Sequence, residues 1–196
     1  MVHGLDCGAA RRLLLIASTV GHLAQLDRLA ESLGAGENSL WVTFDTTQSR
    51  ALLHGRNVLY VPYIEPRDAR TAFTVYRQLV REIPPQYMPF DQAISTGAAL
   101  ALPGLLAARR HGIPALYIES VSRTDGPSLT GRMLAASRAV ELETQHPNWS
   151  TRRWKHRRTV LDSYKSVAGH HTLAAVGRPE GAAPPTLRDT WDDSSV

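Results

Sequence analysis

Residues 91–131 constrain the fold more than any other stretch, because strand and helix patterns alternate there within a short length. An apolar run begins after Asp91, and an Ala- and Leu-rich helical pattern follows over 98–111. Gly112 marks the end of that helix, since glycine readily takes the left-handed conformation that closes helices. A second apolar run covers 114–118. The pattern predicts one βαβ unit whose two strands are parallel and buried.

The rest of the chain repeats this alternation of apolar strands and amphipathic helices. Further strands are predicted over 13–17, 40–44, 57–61 and 138–143, and helices over 23–33, 47–53, 71–83 and 131–137. This order predicts an α/β protein with a doubly wound, mostly parallel, Rossmann-like sheet. Right-handed crossovers then place the strand-to-helix loops at one edge, where open α/β sheets bind their ligands.

Length and composition fit one globular domain, because the chain has 196 residues and 43% of them are hydrophobic. We expect a disordered leader over 1–12, a single Rossmann-like domain over 13–165 and an extended or disordered tail over 166–196. No apolar run approaches the ~20 residues of a membrane-spanning helix. Any membrane contact is therefore expected at the protein surface.

Cysteine, histidine and glycine usage excludes several classes of site. The one cysteine, Cys7, excludes a disulfide framework and a thiolate metal site, and it favours a reducing, cytoplasmic setting. His170 and His171 have no second cluster at ligand spacing, so no metal is predicted. The G-x-G-x-x-G fingerprint of dinucleotide enzymes is absent, and we expect no cofactor.

Two predicted loops carry residue types that suit an anionic or hydroxyl ligand. Ser18 and Gly21 belong to a loop before a helix, where free backbone N–H groups attract anions, and His22 can relay a proton near neutral pH. The alternative is an ordinary loop whose histidine caps or packs. The second loop has the same geometry and is either a ligand site or a helix cap, and it consists of Ser95, Thr96 and Gly97.

A third loop combines a carboxylate with a guanidinium after a buried strand. Glu119, next to Ser120, can accept hydrogen bonds from sugar hydroxyls, and Arg123 can pair with a lipid diphosphate. The alternative is that Glu119 and Arg123 pair with each other across the loop.

The basic-aromatic segment, residues 149–158, suits anionic headgroups or a partner protein. The residues proposed for that contact are Trp149, Arg152, Arg153, Trp154 and Lys155. A solvated loop is the alternative, and no nucleic-acid fold signature accompanies the segment, so nucleic acid is not expected as a partner.

Three motifs of this sequence resemble one known family. They are I-S-T-G-A-A over 94–99, G-I-P-A-L-Y-I-E-S over 112–120 and R-T-D-G-P-S-L-T-G over 123–131. Together they resemble the acceptor-binding subunit of the two-part UDP-GlcNAc transferase of dolichol-oligosaccharide assembly and its bacterial polysaccharide relatives. More distantly they resemble the amino-terminal domain of the peptidoglycan lipid-intermediate GlcNAc transferase.

The resemblance implies the amino-terminal half of a GT-B glycosyltransferase, covering 13–164 of this chain. It implies that His22 is a base for the acceptor hydroxyl and that Ser18, Gly21, Ser95, Thr96, Gly97, Glu119, Ser120, Arg123 and Thr130 hold the acceptor or its phosphates. Val20 departs from the family, which usually has glycine there.

The implied function is acceptor binding and recruitment within a split transferase that moves a GlcNAc-like sugar from a UDP-sugar to a lipid-linked or polysaccharide acceptor. A separate donor-binding subunit would complete the enzyme at the inner face of the membrane. The alternatives are a non-catalytic scaffold that recruits such a partner and a stand-alone enzyme that modifies nucleotide sugars.

Overall fold

The computed structural model describes residues 10–83 and 89–162. Most of the expected leader, the histidine pair at 170–171 and the expected tail lie outside the described residues. No helix in the described ranges is long and apolar enough to cross a membrane.

Seven strands and five α-helices alternate along the described chain. In order they are β1 (Leu13–Ile16), α1 (Gly21–Ala30), β2 (Leu40–Phe44), α2 (Thr47–Leu52), β3 (Asn57–Val61), α3 (Ala69–Glu82), β4 (Gln92–Ser95), α4 (Ala101–Arg110), β5 (Ala115–Ile118), α5 (Leu129–Ser137), β6 (Glu141–Thr144) and β7 (Trp154–His156), with a 3-10 turn over Pro147–Trp149 before β7.

All seven strands form one parallel sheet in the order β3-β2-β1-β4-β5-β6-β7. The predicted doubly wound, Rossmann-like architecture is therefore confirmed. The order reverses between β1 and β4, which are direct neighbours. The loops that leave these two strands therefore flank a crevice at the carboxyl edge, the usual ligand position in such sheets.

Side chains of the central strands alternate between two apolar layers, as expected for a sheet covered on both faces. Leu14 and Ile16 pack in the layer that includes α3, α4 and α5, whereas Leu13 and Leu15 pack against α1. Gly104 lets α4 approach β1 closely, because a Cβ there would lie 2.7 Å from a methyl group of Ile16. This contact fixes α4, and with it the loop that follows β4.

Two boundaries and one additional strand differ from the predictions for identifiable reasons. α4 begins at Ala101 rather than residue 98, because Gly97 and Ala98 both take positive φ angles, 124° and 63°. β6 begins at Glu141 rather than residue 138, because Arg138 ends α5 in the left-handed conformation. β7 was not predicted, since it is three residues long and buries only Trp154.

The short helix α2 is fixed by its own residues. Thr46 caps it by accepting a hydrogen bond from the Ser49 backbone, and the Ser49 hydroxyl accepts in return from the Thr46 backbone. Ser49 is fully buried and also donates to the Phe44 carbonyl at 2.7 Å. Both ends of this capping box are satisfied, so the helix start is well defined.

Candidate functional site

The crevice between β1 and β4 is closed at its base by two serines. The Ser18 hydroxyl accepts from the Leu100 backbone N–H at 3.3 Å, and the Ser95 hydroxyl accepts from the Gly97 N–H at 3.3 Å. Both serines are buried. In this structure their hydroxyls stabilise the two loops from inside.

His22 lies on the first turn of α1, directly above this base. Its Nδ1 atom is 3.0 Å from the Thr96 carbonyl oxygen, and the Thr96 hydroxyl donates to the His22 carbonyl at 2.7 Å. A carbonyl only accepts, so Nδ1 carries the hydrogen and the neutral ring keeps its lone pair on Nε2. Nε2 has no hydrogen-bond partner among the described residues. The hydrogen bond to Thr96 fixes the orientation of the ring, and the predicted role of His22 as a base stays a prediction.

Gly97 makes room for that histidine. Its φ angle is 124°, a conformation open mainly to glycine, and a Cβ there would lie 3.0 Å from His22 Nδ1 and 3.4 Å from the Tyr117 hydroxyl. The glycine of the Ser95-Thr96-Gly97 loop therefore permits the close approach of ring and loop. Its predicted place beside a ligand stays a prediction.

Val20 adopts a backbone conformation that glycine would take without strain. Its φ and ψ angles are 66° and −129°, and its side chain is 70% exposed. Such a conformation is strained for a β-branched residue, at roughly 1–3 kcal/mol. Gln48 holds it: Val20 N donates to Gln48 Oε1 at 2.6 Å, and Gln48 Nε2 donates to the Val20 carbonyl at 3.4 Å. Gly21, next in the chain, is exposed.

The carboxylate of Glu119 is buried at the start of α5. Its Oε1 accepts from the Tyr117 hydroxyl at 2.9 Å and the Ser120 N–H at 3.3 Å, and its Oε2 accepts from the Ser128 N–H at 2.9 Å and hydroxyl at 3.0 Å. Gly131 provides the space, since a Cβ there would lie 2.4 Å from Oε2. All these donors belong to the fold itself, so Glu119 stabilises the β5–α5 connection, and its predicted contact with a ligand stays a prediction.

Tyr117 supports this arrangement as a permanent donor. Burial, and then the charge of Glu119, raises the pKa of the Tyr117 phenol far above its usual range. The phenol therefore keeps its proton at neutral pH and donates a hydrogen bond to the carboxylate.

Arg123 does not pair with Glu119, which removes the alternative that the sequence left open. Its Nε donates to the Gly126 carbonyl at 3.4 Å, and the residue is exposed at the rim. Ser120 is buried, and its hydroxyl contacts Gln25 at 3.1 Å. Of this predicted group, Arg123 is the side chain that a ligand can reach.

Two glutamines join α1 to the loop after β5. Gln25 Oε1 accepts from the Val121 N–H at 3.1 Å and from Gln145 Nε2 at 3.2 Å. Gln145 also donates to the Glu119 carbonyl at 3.0 Å and accepts from the Val160 N–H at 2.8 Å. Sequence reasoning missed the Gln25 contacts, because they join positions far apart in the chain.

The basic-aromatic segment buries Trp154, which was predicted to contact a membrane or a partner. Trp154 is 7% exposed and packs edge-on against Tyr117 and Trp149, with ring centroids 6.1 and 5.3 Å apart. The Trp149 indole N–H donates to the Arg123 carbonyl at 3.0 Å. Trp154 is thus a core residue, and the prediction of a membrane or partner contact for it is wrong. Of the residues proposed for this contact, Arg152, Arg153 and Lys155 are exposed and Trp149 is partly buried.

An apolar groove of about 550 Å³ lies between α3, α4 and α5. Phe73, Leu129 and Met133 line it and are 60%, 63% and 47% exposed. Its walls come from the loop before α3, from Ala99 in the loop before α4, and from the amino-terminal halves of the three helices, which begin at the carboxyl edge of the sheet and include Thr130. No sequence motif indicates the groove, because it arises only where three separate helices meet.

Comparison with known proteins places this fold among characterised ones. No protein-family model matches the chain, and no curated protein sequence matches it. The solved structure of MurG from Acinetobacter baumannii is 21% identical with a TM-score of 0.58, covering 76% of this chain and 46% of that one. The UDP-GlcNAc 2-epimerase of Methanocaldococcus jannaschii is 11% identical with a TM-score of 0.54, covering 82% and 50%.

The chain thus spans about half the length of both solved structures. At these identities the similarity shows the fold alone. MurG and the epimerase share this fold, so the fold by itself does not identify one activity. What the likeness does establish is a seven-stranded, parallel, Rossmann-like sheet of the kind found in GT-B proteins such as MurG.

Proposed function

We propose that this chain is the acceptor-binding and recruiting subunit of a split glycosyltransferase. In this proposal a GlcNAc-like sugar moves from a UDP-sugar to a lipid-linked or polysaccharide acceptor. The sequence motifs at 94–99, 112–120 and 123–131 support the family, and the Rossmann-like sheet supports the fold.

One observation carries the proposal: the imidazole ring of His22 and the apolar groove both lie against the loop that follows β4. Gly97 contacts the His22 ring, and Ala99, two residues later, lines the groove. A lipid-linked acceptor needs these two environments side by side, an apolar channel for the hydrocarbon and a base for the sugar hydroxyl. The exposed guanidinium of Arg123 at the same edge would pair with the diphosphate between them.

The chemistry follows from the orientation of His22. Nε2 accepts the proton of the acceptor hydroxyl while its oxygen bonds to the anomeric carbon of the donor sugar, and the bond from that carbon to UDP breaks. The Thr96 carbonyl, hydrogen-bonded to Nδ1, stabilises the imidazolium that forms. Proton removal by a positioned histidine contributes roughly 10²–10⁴-fold to such a rate.

The UDP-sugar is assigned to a partner. In this proposal the donor binds a separate glycosyltransferase subunit that faces the β1–β4 edge. Peripheral association with the inner face of the membrane would bring the groove to its lipid. No metal or other cofactor enters the proposed reaction.

A reconstitution assay tests the proposal. Labelled sugar transfer from UDP-sugars to a lipid extract is measured with the purified chain alone and after mixing with the donor-type chain from the same source. We expect transfer only on mixing. Transfer by the chain alone would favour a stand-alone enzyme, and formation of a stable complex without transfer would favour the scaffold.

A further inference from the structure

The loop before α1 contains an unusual pairing of a strained residue with a side chain that holds it. Val20 has a φ of 66° and a ψ of −129°, which β-branched residues avoid. No side chain caps α1 at this position. The loop therefore needs another source of stability, or it would relax towards an unstrained conformation.

Gln48 supplies that stability from a neighbouring helix. Its amide group contacts both backbone groups of Val20, at 2.6 Å through Oε1 and at 3.4 Å through Nε2. Gln48 stands on the first turn of α2, which is itself fixed by the reciprocal cap between Thr46 and Ser49. A fixed helix thus holds a strained loop through one side chain.

The position of Val20 determines how α1 begins. The Val20 carbonyl accepts the hydrogen bond of the Ala24 N–H at 3.3 Å, the first turn of the helix that carries His22. If Val20 relaxes, this turn rotates, and the 3.0 Å contact between His22 Nδ1 and the Thr96 carbonyl is lost.

We propose that Gln48 is a positioning residue for His22: it holds Val20 in a glycine-type conformation and so sets the tautomer and direction of the imidazole. The effect of Gln48 on catalysis rests on the proposed function, whereas its effect on the orientation of the His22 ring does not. Glycine at position 20 would adopt the same angles without strain, so it would make Gln48 dispensable.

Imidazole nitrogen NMR of the full chain tests the structural part without any activity. The variants are Gln48→Ala, Val20→Gly and the double variant. Gln78→Ala is the control, because Gln78 is a glutamine on α3 whose side chain donates a hydrogen bond to Glu82. We expect the Nδ1–H tautomer of His22 in the wild type, Val20→Gly and Gln78→Ala. Gln48→Ala should show mixed tautomers, and the double variant should return to the wild-type signal.

Two results would overturn the proposal. Wild-type His22 signals in Gln48→Ala would show that the loop holds itself, and mixed tautomers in the double variant would show that strain at Val20 is not what Gln48 offsets. Thermal unfolding identifies any variant that fails to fold.

The reconstituted pair adds a functional readout. Gln48→Ala should lower kcat roughly tenfold with little change in KM for the UDP-sugar, since misplacing a base slows chemistry more than binding. The double variant should recover the rate. If the wild-type pair transfers no sugar, the proposed function fails while the NMR result still decides the role of Gln48.

Discussion

Two parts of the carboxyl edge look alike in sequence but differ in what they offer a ligand. Beside β1 and β4, the His22 ring makes one hydrogen bond to Thr96 and leaves Nε2 without a partner among the described residues. Beside β5, Glu119 accepts four hydrogen bonds from donors of its own fold and is 1% exposed. A polar side chain after a strand is therefore a candidate for ligand binding only if neighbouring groups of the fold leave part of its hydrogen-bonding capacity unused.

The largest effect is expected from replacing His22, whose Nε2 has no hydrogen-bond partner among the described residues. His22→Ala should lower transfer by the reconstituted pair by roughly 10²–10⁴-fold while leaving the fold intact, because only the base is lost. The rate of labelled sugar transfer and the circular dichroism spectrum are measured together. His54→Ala, at an exposed histidine outside the helices and strands, is the control and should behave like the wild type. A near-normal rate for His22→Ala would reject its role.

Replacing Glu119, whose carboxylate is hydrogen-bonded by the fold itself, should lower stability rather than the transfer rate. Glu119→Ala leaves the Tyr117 hydroxyl and the Ser128 N–H without their acceptor, and we expect a loss of about 2–4 kcal/mol in the free energy of unfolding. Urea unfolding measures it. A variant that unfolds like the wild type yet transfers no sugar would show that Glu119 acts on the ligand after all.

Alanine at two glycines compares the two regions directly. Gly131→Ala should destabilise the protein by about 1–3 kcal/mol, because its Cβ would lie 2.4 Å from the Glu119 carboxylate. Gly21→Ala, at the start of α1, meets no atom within 4 Å and should be neutral or stabilising by up to about 1 kcal/mol. Equal urea midpoints for the two variants would contradict the described packing around Glu119.

The apolar groove should control membrane binding if it holds a lipid chain. Replacing Phe73 and Leu129 together with Ser removes exposed apolar surface, at about 25 cal/mol per Å², and should reduce flotation with anionic vesicles severalfold. Replacing Arg152 and Arg153 with Ala is the comparison for the basic-aromatic segment. Loss of flotation only in the arginine variant would transfer the membrane contact from the groove to that segment.

The smallest effect is expected at Glu143, a buried carboxylate on β6. Within the described ranges it lacks hydrogen-bond donors of the kind that surround Glu119. Its oxygens lie 3.4 and 3.2 Å from Arg157 and Arg158, without a hydrogen bond from the described residues. Burial, only partly offset by the charges of Arg158 and Arg157, raises the pKa of Glu143.

A raised pKa means that the folded protein binds this proton more tightly than the unfolded chain does. Stability from Glu143 is then full below its ordinary pKa of about 4.5 and is lost as pH rises through the folded value. Glu143→Gln should therefore gain stability relative to the wild type between about pH 4.5 and 7. Urea unfolding at both pH values checks this, and a constant difference would contradict the raised pKa.

The sheet could be predicted from sequence because its strands are continuous apolar runs. Leu13 and Leu15 face one layer and Leu14 and Ile16 the other, so the whole run must be apolar. β7 escaped prediction because Trp154 is its one buried residue and its neighbours are charged or polar.

The candidate site could be predicted only where a local motif carries it. His22 follows a loop whose pattern is visible in sequence, and the family resemblance singled it out. Gln48 and the groove were missed because they depend on contacts between separate elements: Gln48 reaches Val20 from α2, and Phe73 meets Leu129 from a different helix. Glu119 was placed correctly at the edge, but its burial depends on Ser128 and Gly131.

Titration of an acceptor into the labelled chain would show whether a ligand binds beside His22 and the groove rather than beside Glu119. A short-chain polyprenyl diphosphate N-acetylglucosamine is added to the ¹⁵N-labelled protein, and backbone shifts are followed. We expect perturbations at His22 and Gly97 and along the groove at Thr130 and Met133, with the Glu119 amide little changed. Shifts centred on Glu119, or no saturable binding at all, would contradict the acceptor-binding role proposed for this edge.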